Sequence, residues 1–193
     1  MKLLGIMASS RRDGNTNDLL DVALGAAEEG GASIEKLVLL DYNIHHILNC
    51  KDCKQQGFCP ADDFPYIRDK LAEADGILWA TPLYWYTVSG LLKVLLDRLS
   101  CVMYWDSPEH LLKMLKGKPS GLIITREELE PEKIQHLIGT MEMVFSYAYC
   151  QMVNLGVVAG PGGSRGTALK DESAVEAARR LGRKFLEFSR SRE

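Results

Sequence analysis

The sequence predicts an α/β protein: a five-stranded parallel sheet covered by helices on both faces. Two observations carry this. Short apolar runs alternate with stretches of helical spacing from end to end, the pattern of strand–helix–strand units. At 193 residues the chain also suits one domain, 1–193, able to bury a full core without metal or disulfide support.

The elements follow in order. The first strand is Lys2–Met7, and the loop Ala8–Thr16 leads into a helix marked by Leu19, Val22 and Ala26. The second strand, Ser33–Leu39, precedes an irregular stretch at 40–63 that reads as an insertion. A helix with Ile67, Leu71 and Ala74 feeds the third strand, Gly76–Ala80. The loop Thr81–Ser89 then opens a helix carrying Leu91, Leu92, Leu95, Leu96 and Leu99. A second irregular stretch, 101–117, reads as another insertion before the fourth strand, Pro119–Thr125. A helix from Glu130 to Tyr149 and a fifth strand, Met152–Val158, follow. The last helix shows Val175, Ala178, Leu181, Phe185 and Phe188 along one face.

Composition narrows the function. The 23 basic and 26 acidic residues leave a net charge of −3, against the basic surplus that nucleic-acid binding uses. No apolar run reaches the roughly 20 residues that cross a bilayer, so no membrane partner is expected. Five cysteines, an odd number with three clustered, argue against a secreted disulfide scaffold and for a reducing, cytoplasmic setting.

In an open parallel sheet, ligands sit beyond the carboxyl ends of the strands. That rule singles out Ser9–Thr16, Thr81–Ser89, Thr125–Glu130 and Ala159–Gly166. The first segment, Ala8-Ser9-Ser10-Arg11-Arg12-Asp13-Gly14-Asn15-Thr16, sits where a helix begins. Free amides and the positive end of the helix dipole hold a phosphate there, Arg11 adds a charged fork, and Ser9, Ser10, Asn15 and Thr16 add neutral hydrogen bonds. The alternative is that Asn15 or Thr16 only caps the helix and Arg11 faces solvent. The dinucleotide fingerprint and the P-loop are both missing. In the second segment, Thr81-Pro82-Leu83-Tyr84-Trp85-Tyr86-Thr87, three aromatic residues either pack inward or offer flat surfaces to a flat ligand.

Together these segments resemble the NAD(P)H-dependent FMN reductase and quinone reductase family. That family's first loop reads like Gly-Ser-x-Arg-x-x-Gly-Asn-Thr, matched here by Ala8, Ser9, Arg11, Gly14, Asn15 and Thr16. Its second reads like Pro-x-Tyr-Trp and then Gly-x-x-Lys-x-x-x-Asp-Arg, matched by Pro82, Tyr84, Trp85, Gly90, Lys93, Asp97 and Arg98. Gly160–Gly166, then Asp171 and Leu181-Gly182, resemble its C-terminal part.

The resemblance implies a flavodoxin-like three-layer sandwich with strand order 2-1-3-4-5. It implies FMN as cofactor and NADPH or NADH as electron donor. Ser9, Arg11, Asn15, Thr16 and Asn17 would hold the phosphate, while Pro82, Leu83, Tyr84, Trp85 and Tyr86 would line the isoalloxazine. Thr125 would reach the ring's pyrimidine side. It further implies a homodimer or homotetramer, with Tyr104 and Trp105 closing over the site. Lys93, Asp97 and Arg98 read as a charged helix face or subunit contact. No side chain is assigned as an acid–base catalyst, because the cofactor carries the chemistry.

Two segments depart from the family. A glycine-rich turn is replaced by Thr125-Arg126-Glu127-Glu128-Leu129-Glu130-Pro131, whose acidic residues either approach the ring or cap the next helix. Cys50-x2-Cys53-x5-Cys59 partly resembles the cysteine motif of iron–sulfur flavoproteins, with Gln56 where a further cysteine would stand. A cubane cluster takes four thiolates and only three occur, though His45 or His46 would complete a Cys3His zinc site. No metal is expected. The reading is an oxidoreductase passing electrons to quinone, azo, nitro or flavin acceptors. Its rivals are a flavodoxin-type carrier, an iron–sulfur flavoprotein relative and a flavin-free regulatory module.

Overall fold

All five strands expected from the apolar runs form, and all pair in parallel. In the computed structural model, which describes residues 1–47, 62–105, 107–127 and 130–192, they are β1 (Lys2–Met7), β2 (Ser33–Val38), β3 (Gly76–Pro82), β4 (Pro119–Arg126) and β5 (Val153–Pro161). Their order is β2-β1-β3-β4-β5, the order that the resemblance implies. The central strands β3 and β4 are buried almost throughout, whereas the edge strands β2 and β5 carry exposed residues. Burial on both faces is why the central strands read as continuous apolar runs.

Six helices among the described residues complete three layers. One face of the sheet is covered by α1 (Asn15–Glu29) and α6 (Glu172–Arg190), packed around Leu20, Leu24, Leu181 and Phe185. The other is covered by α2 (Phe64–Glu73), α3 (Gly90–Trp105), α4 (Pro108–Leu115) and α5 (Gln135–Ser146), around Trp79, Leu92, Leu111 and Phe145. Helices α1 and α6 cross closely at Gly182, where an added Cβ would lie 2.0 Å from the Ala23 carbonyl oxygen. None of the described helices is long and apolar enough to cross a membrane.

Three expectations change. The stretch 101–117 is not an irregular insertion: α3 runs on to Trp105, and α4 occupies Pro108–Leu115. Ser107 caps α4 by accepting from the His110 amide (3.1 Å), Pro108 presets its first turn, and Leu111, Met114 and Leu115 bury its inner face. The helix expected over 130–149 begins as a 3-10 turn at Pro131–Ile134, is α-helical only over Gln135–Ser146, and stops at Tyr147.

Arg98, read as part of a charged helix face, is buried instead. It pairs with Asp62 and donates to the His45 carbonyl (2.9 Å), while Lys93 and Asp97 form the exposed pair at 2.6 Å. Of the other expected insertion, 40–63, the structure shows a 3-10 turn at Leu39–Asp41 and both flanks. Cys50, Cys53, Gln56 and Cys59 lie outside the described residues.

Candidate functional site

The chain leaves β1 toward β2 on one side and returns to β3 on the other, so a crevice opens at the carboxyl ends of β1 and β3. Each loop there is anchored at its base by a bond that extends the sheet ladder. Ala8 N donates to Ala80 O (2.8 Å), Leu83 N to Thr125 O (2.8 Å), and Gly162 N to Arg126 O. Between these loops lies a cavity of about 420 Å³, the size of a small-molecule site.

One end is the amino terminus of α1. Gly14 is its N-cap, and no side chain caps the first turn, so those amides remain for an outside acceptor. An added Cβ at Gly14 would come within 3.0 Å of Arg11 Cβ, so glycine lets the loop fold back over the helix. Arg11 donates to Gly163 O (2.7 Å), which fixes the guanidinium beside the seat with most of its five donors to spare. Ser9 Oγ accepts from the Arg11 amide (3.1 Å) and keeps its own proton to donate.

The polar side chains of the first helical turn are otherwise engaged. Asn15 Nδ2 donates to Ser164 O (2.9 Å), and its Oδ1 accepts from Ala168 N (3.0 Å). Asn15 thus pins the loop after β5 while lining the cavity. Thr16 and Thr125 share a buried hydroxyl–hydroxyl bond of 2.6 Å that joins α1 to β4. Asn17 bonds to Asp21 (2.8 Å) and to Lys36 (2.9 Å) on the exposed side, and does not line the cavity.

A second wall runs from Pro82 to Tyr86. Tyr84 and Thr87 exchange two backbone bonds of 3.1 Å, closing a two-residue hairpin whose tip is Trp85 (φ 49°) and Tyr86 (φ 63°). Tight hairpins need such angles, but Gly, Asn or Asp usually supplies them. Each bulky residue there costs about 1–2 kcal/mol. The hairpin's base is held by Ser89, whose Oγ donates to Ala8 O (2.6 Å) and accepts from Leu92 N (3.2 Å), while its amide donates to Thr81 Oγ1 (3.0 Å). Ser89 therefore caps α3 and ties the aromatic loop to the α1 loop.

The remaining lining comes from Thr125, Arg126 and Glu127 after β4, and from Gly162 and Gly163 after β5. The strand-end rule selected both loops, and Thr125 was expected here from the family resemblance; Arg126, Gly162 and Gly163 were not singled out as site residues. Arg126 and Glu127 became lining residues only through the pairing of β4 with β5. At Gly162 an added Cβ would meet the Arg126 backbone at 3.0 Å, and Gly163 has φ 79°. The glycine cluster was the available signal for that close approach. The side chains of Tyr104 and Trp105 lie outside the described residues.

Similarity to known proteins agrees with this geometry. The family model for NADPH-dependent FMN reductase matches residues 1–147. An iron–sulfur flavoprotein of Methanocaldococcus jannaschii is 31% identical over 97% of this chain and 96% of its own length. YwqN of Bacillus subtilis, named by assignment as an NAD(P)H-dependent FMN-containing oxidoreductase, is 30% identical over 94% of this chain and 96% of its own. The solved NAD(P)H:quinone oxidoreductase from Methanothermobacter marburgensis shares the fold, with a TM-score of 0.71 over 95% of this chain and 94% of that one, at 18% identity.

Proposed function

Because the chain belongs to the NADPH-dependent FMN reductase family, and is thus a flavin-dependent oxidoreductase using FMN and NAD(P)H, we propose that it passes electrons to a small, flat acceptor of the quinone, azo, nitro or flavin type. The observation that carries this is a single cavity with an uncapped helix end and Arg11 at one side and an aromatic hairpin at another. These residues fit the cofactor, since an anion seat and a flat apolar wall are what a phosphorylated tricyclic ring needs. FMN, when bound, supplies the redox chemistry, accepting hydride from NAD(P)H and passing electrons on.

The chain's residues bind and orient. The first-turn amides of α1, Ser9 Oγ and Arg11 would take the phosphate oxygens. Pro82, Leu83, Tyr84 and Tyr86 would line the ring and exclude water from its face, and Thr125 would stand at the ring's polar edge. Asn15 and Thr16 act one step removed, holding the loop after β5 and the end of β4 in place.

The iron–sulfur name of the archaeal relative is not carried over. Cys50, Cys53 and Cys59 offer three thiolates, and Gln56 stands at the intervening position where a fourth would continue the spacing.

The test is a visible absorption spectrum of the purified protein under anaerobic conditions, before and after NADPH. Flavin bands that bleach with NADPH, then recover with a quinone, support the proposal. Flavin bands that NADPH leaves unchanged indicate a carrier, and a colourless protein that binds no added FMN ends the flavin reading. Broad absorbance underlying the flavin bands would restore the cluster.

A further inference from the structure

At the amino ends of the strands, opposite the flavin cavity, Lys118 leads into β4. Its Nζ donates to Leu71 O (2.8 Å) and Ala72 O (2.6 Å), two carbonyls that the last turn of α2 leaves without helical partners. These neutral acceptors take two of its three N–H bonds and supply no countercharge. Lys2, Lys36, Lys70, Lys93 and Lys133 instead each pair with a carboxylate within 3.0 Å. Lys118 is also half-buried. Burial lowers its amine to about 8, although Asp75 pulls toward the charged form.

The same lysine lines a cavity of about 500 Å³ with Ala72, Glu73, Asp75, Lys116 and Arg192. The two acids are engaged elsewhere: Glu73 pairs with Lys2 (2.9 Å), and Asp75 accepts from the Lys2 amide (2.7 Å). Among the described residues no carboxylate pairs with Lys116 or Arg192. The Arg192 guanidinium donates to Gly117 O (3.1 Å), which keeps it at the cavity. A readily deprotonated amine therefore stands beside two cations that no acid neutralises.

We propose that Lys118 is an acylation site whose acyl donor is a small acyl phosphate, seated by Lys116 and Arg192. The proposal is independent of the flavin reading. With two N–H bonds directed at α2, the proton that leaves is the third, and the lone pair it uncovers faces away from both carbonyls. That lone pair attacks the acyl carbon. The C–N bond forms, the bond from that carbon to the phosphate oxygen breaks, and inorganic phosphate departs while the amine proton passes to water. Nothing is oxidised or reduced. The two cations offset the charge on the donor and on the departing phosphate. The amide product carries no charge and keeps one N–H, so one of the two bonds to α2 is lost.

The purified protein is incubated with acetyl phosphate over a pH series on either side of 8, and acetylation at each lysine is timed by peptide mass spectrometry. At pH 8 Lys118 should react about tenfold faster than the exposed Lys113, since roughly half of it is free base there, against under a hundredth of an ordinary lysine. Its rate should level off above that pH while the rate at Lys113 keeps rising. Arg192→Ala should slow Lys118 by about threefold with acetyl phosphate, the scale of an exposed charge contact, and leave its rate with an uncharged acetyl ester unchanged. Lys116→Gln should do the same, and it keeps the test open should Arg192→Ala fail to fold. Equal rates at Lys118 and Lys113 overturn the proposal, as does a Lys118 rate without a plateau. A fast Lys118 that the variants slow equally with both reagents, or with neither, overturns the acyl phosphate as its donor.

Discussion

Arg11 and Tyr86 show two ways in which a single residue serves the cavity. Arg11 lends charge where a helix end already favours anions, and its guanidinium's bond to Gly163 O aims it without neutralising it. Replacing it with alanine should weaken FMN binding by about 1.5–3 kcal/mol, the worth of a charged hydrogen bond. A fluorescence titration should therefore show a Kd raised roughly ten- to hundredfold; an unaltered Kd would mean that the guanidinium never meets the phosphate. Tyr86 contributes a surface at a cost in backbone strain. Glycine takes its φ of 63° freely, whereas a β-branched residue resists it strongly. Tyr86→Gly should match or exceed wild-type stability in urea unfolding even though a ring is lost. Tyr86→Val should fall below wild type by more than about 1 kcal/mol. The reverse order would show that the tip is not held in the left-handed region.

Among the elements, α1 is used on both its end and its flank. Its amino end forms the anion seat, and its flank meets α6 so closely that Gly182 has no room for a side chain. The obstructing atom is a backbone oxygen, which cannot rotate away. Gly182→Ala should therefore force the helices apart and destabilise the protein by about 1–3 kcal/mol, as overpacking does. For a chain of this size that corresponds to a drop of roughly 2–4 °C in Tm per kcal/mol. Such a shift would also tilt the seat, so the variant's FMN Kd should rise with its loss of stability. The α3–α4 region teaches a different lesson at the same scale. Its second half was expected to be irregular, yet Ser107 caps and Pro108 presets φ for the first turn of α4, and Leu111, Met114 and Leu115 bury its inner face.

Across the whole molecule, Arg98 joins parts that are distant in sequence. From α3 it pairs with Asp62 and holds the His45 carbonyl, while Asn43 and Asp63 exchange further bonds of 2.7 and 3.0 Å. Both flanks of the cysteine-bearing segment are thus fixed side by side. Burial by itself would push the Asp62 carboxyl up. The Arg98 guanidinium and the amides of His45 and Phe64 outweigh that and hold it below its ordinary 3.8. A carboxyl held low when folded adds stability above its unfolded value and loses it as pH falls through the folded one. Asp62→Asn should accordingly cost about 3–5 kcal/mol at neutral pH, the penalty for leaving a buried guanidinium unpaired. Urea unfolding at a series of pH values should show that deficit narrowing only below pH 3.8; a deficit constant into acid would remove the ion pair as its source.

Sheet, the helices other than α4, and the loops that bear the cavity followed from the sequence, because strand and helix periodicity are local and the strand-end rule needs only their order. That Ser9, Arg11, Pro82, Leu83, Tyr84, Trp85, Tyr86 and Thr125 line the cavity was legible in the same way, since each belongs to a strand-end loop. Tertiary structure alone decided which side chains of those loops remain available. It turned Asn15 and Thr16 inward to bind Ser164 and Thr125, set Asn17 against Asp21 and Lys36, and brought Gly162 and Glu127 to the cavity. It also buried Arg98, which a helical pattern would place on a charged face. Each of these outcomes depends on a partner far away in the chain, and local pattern carries no record of such partners.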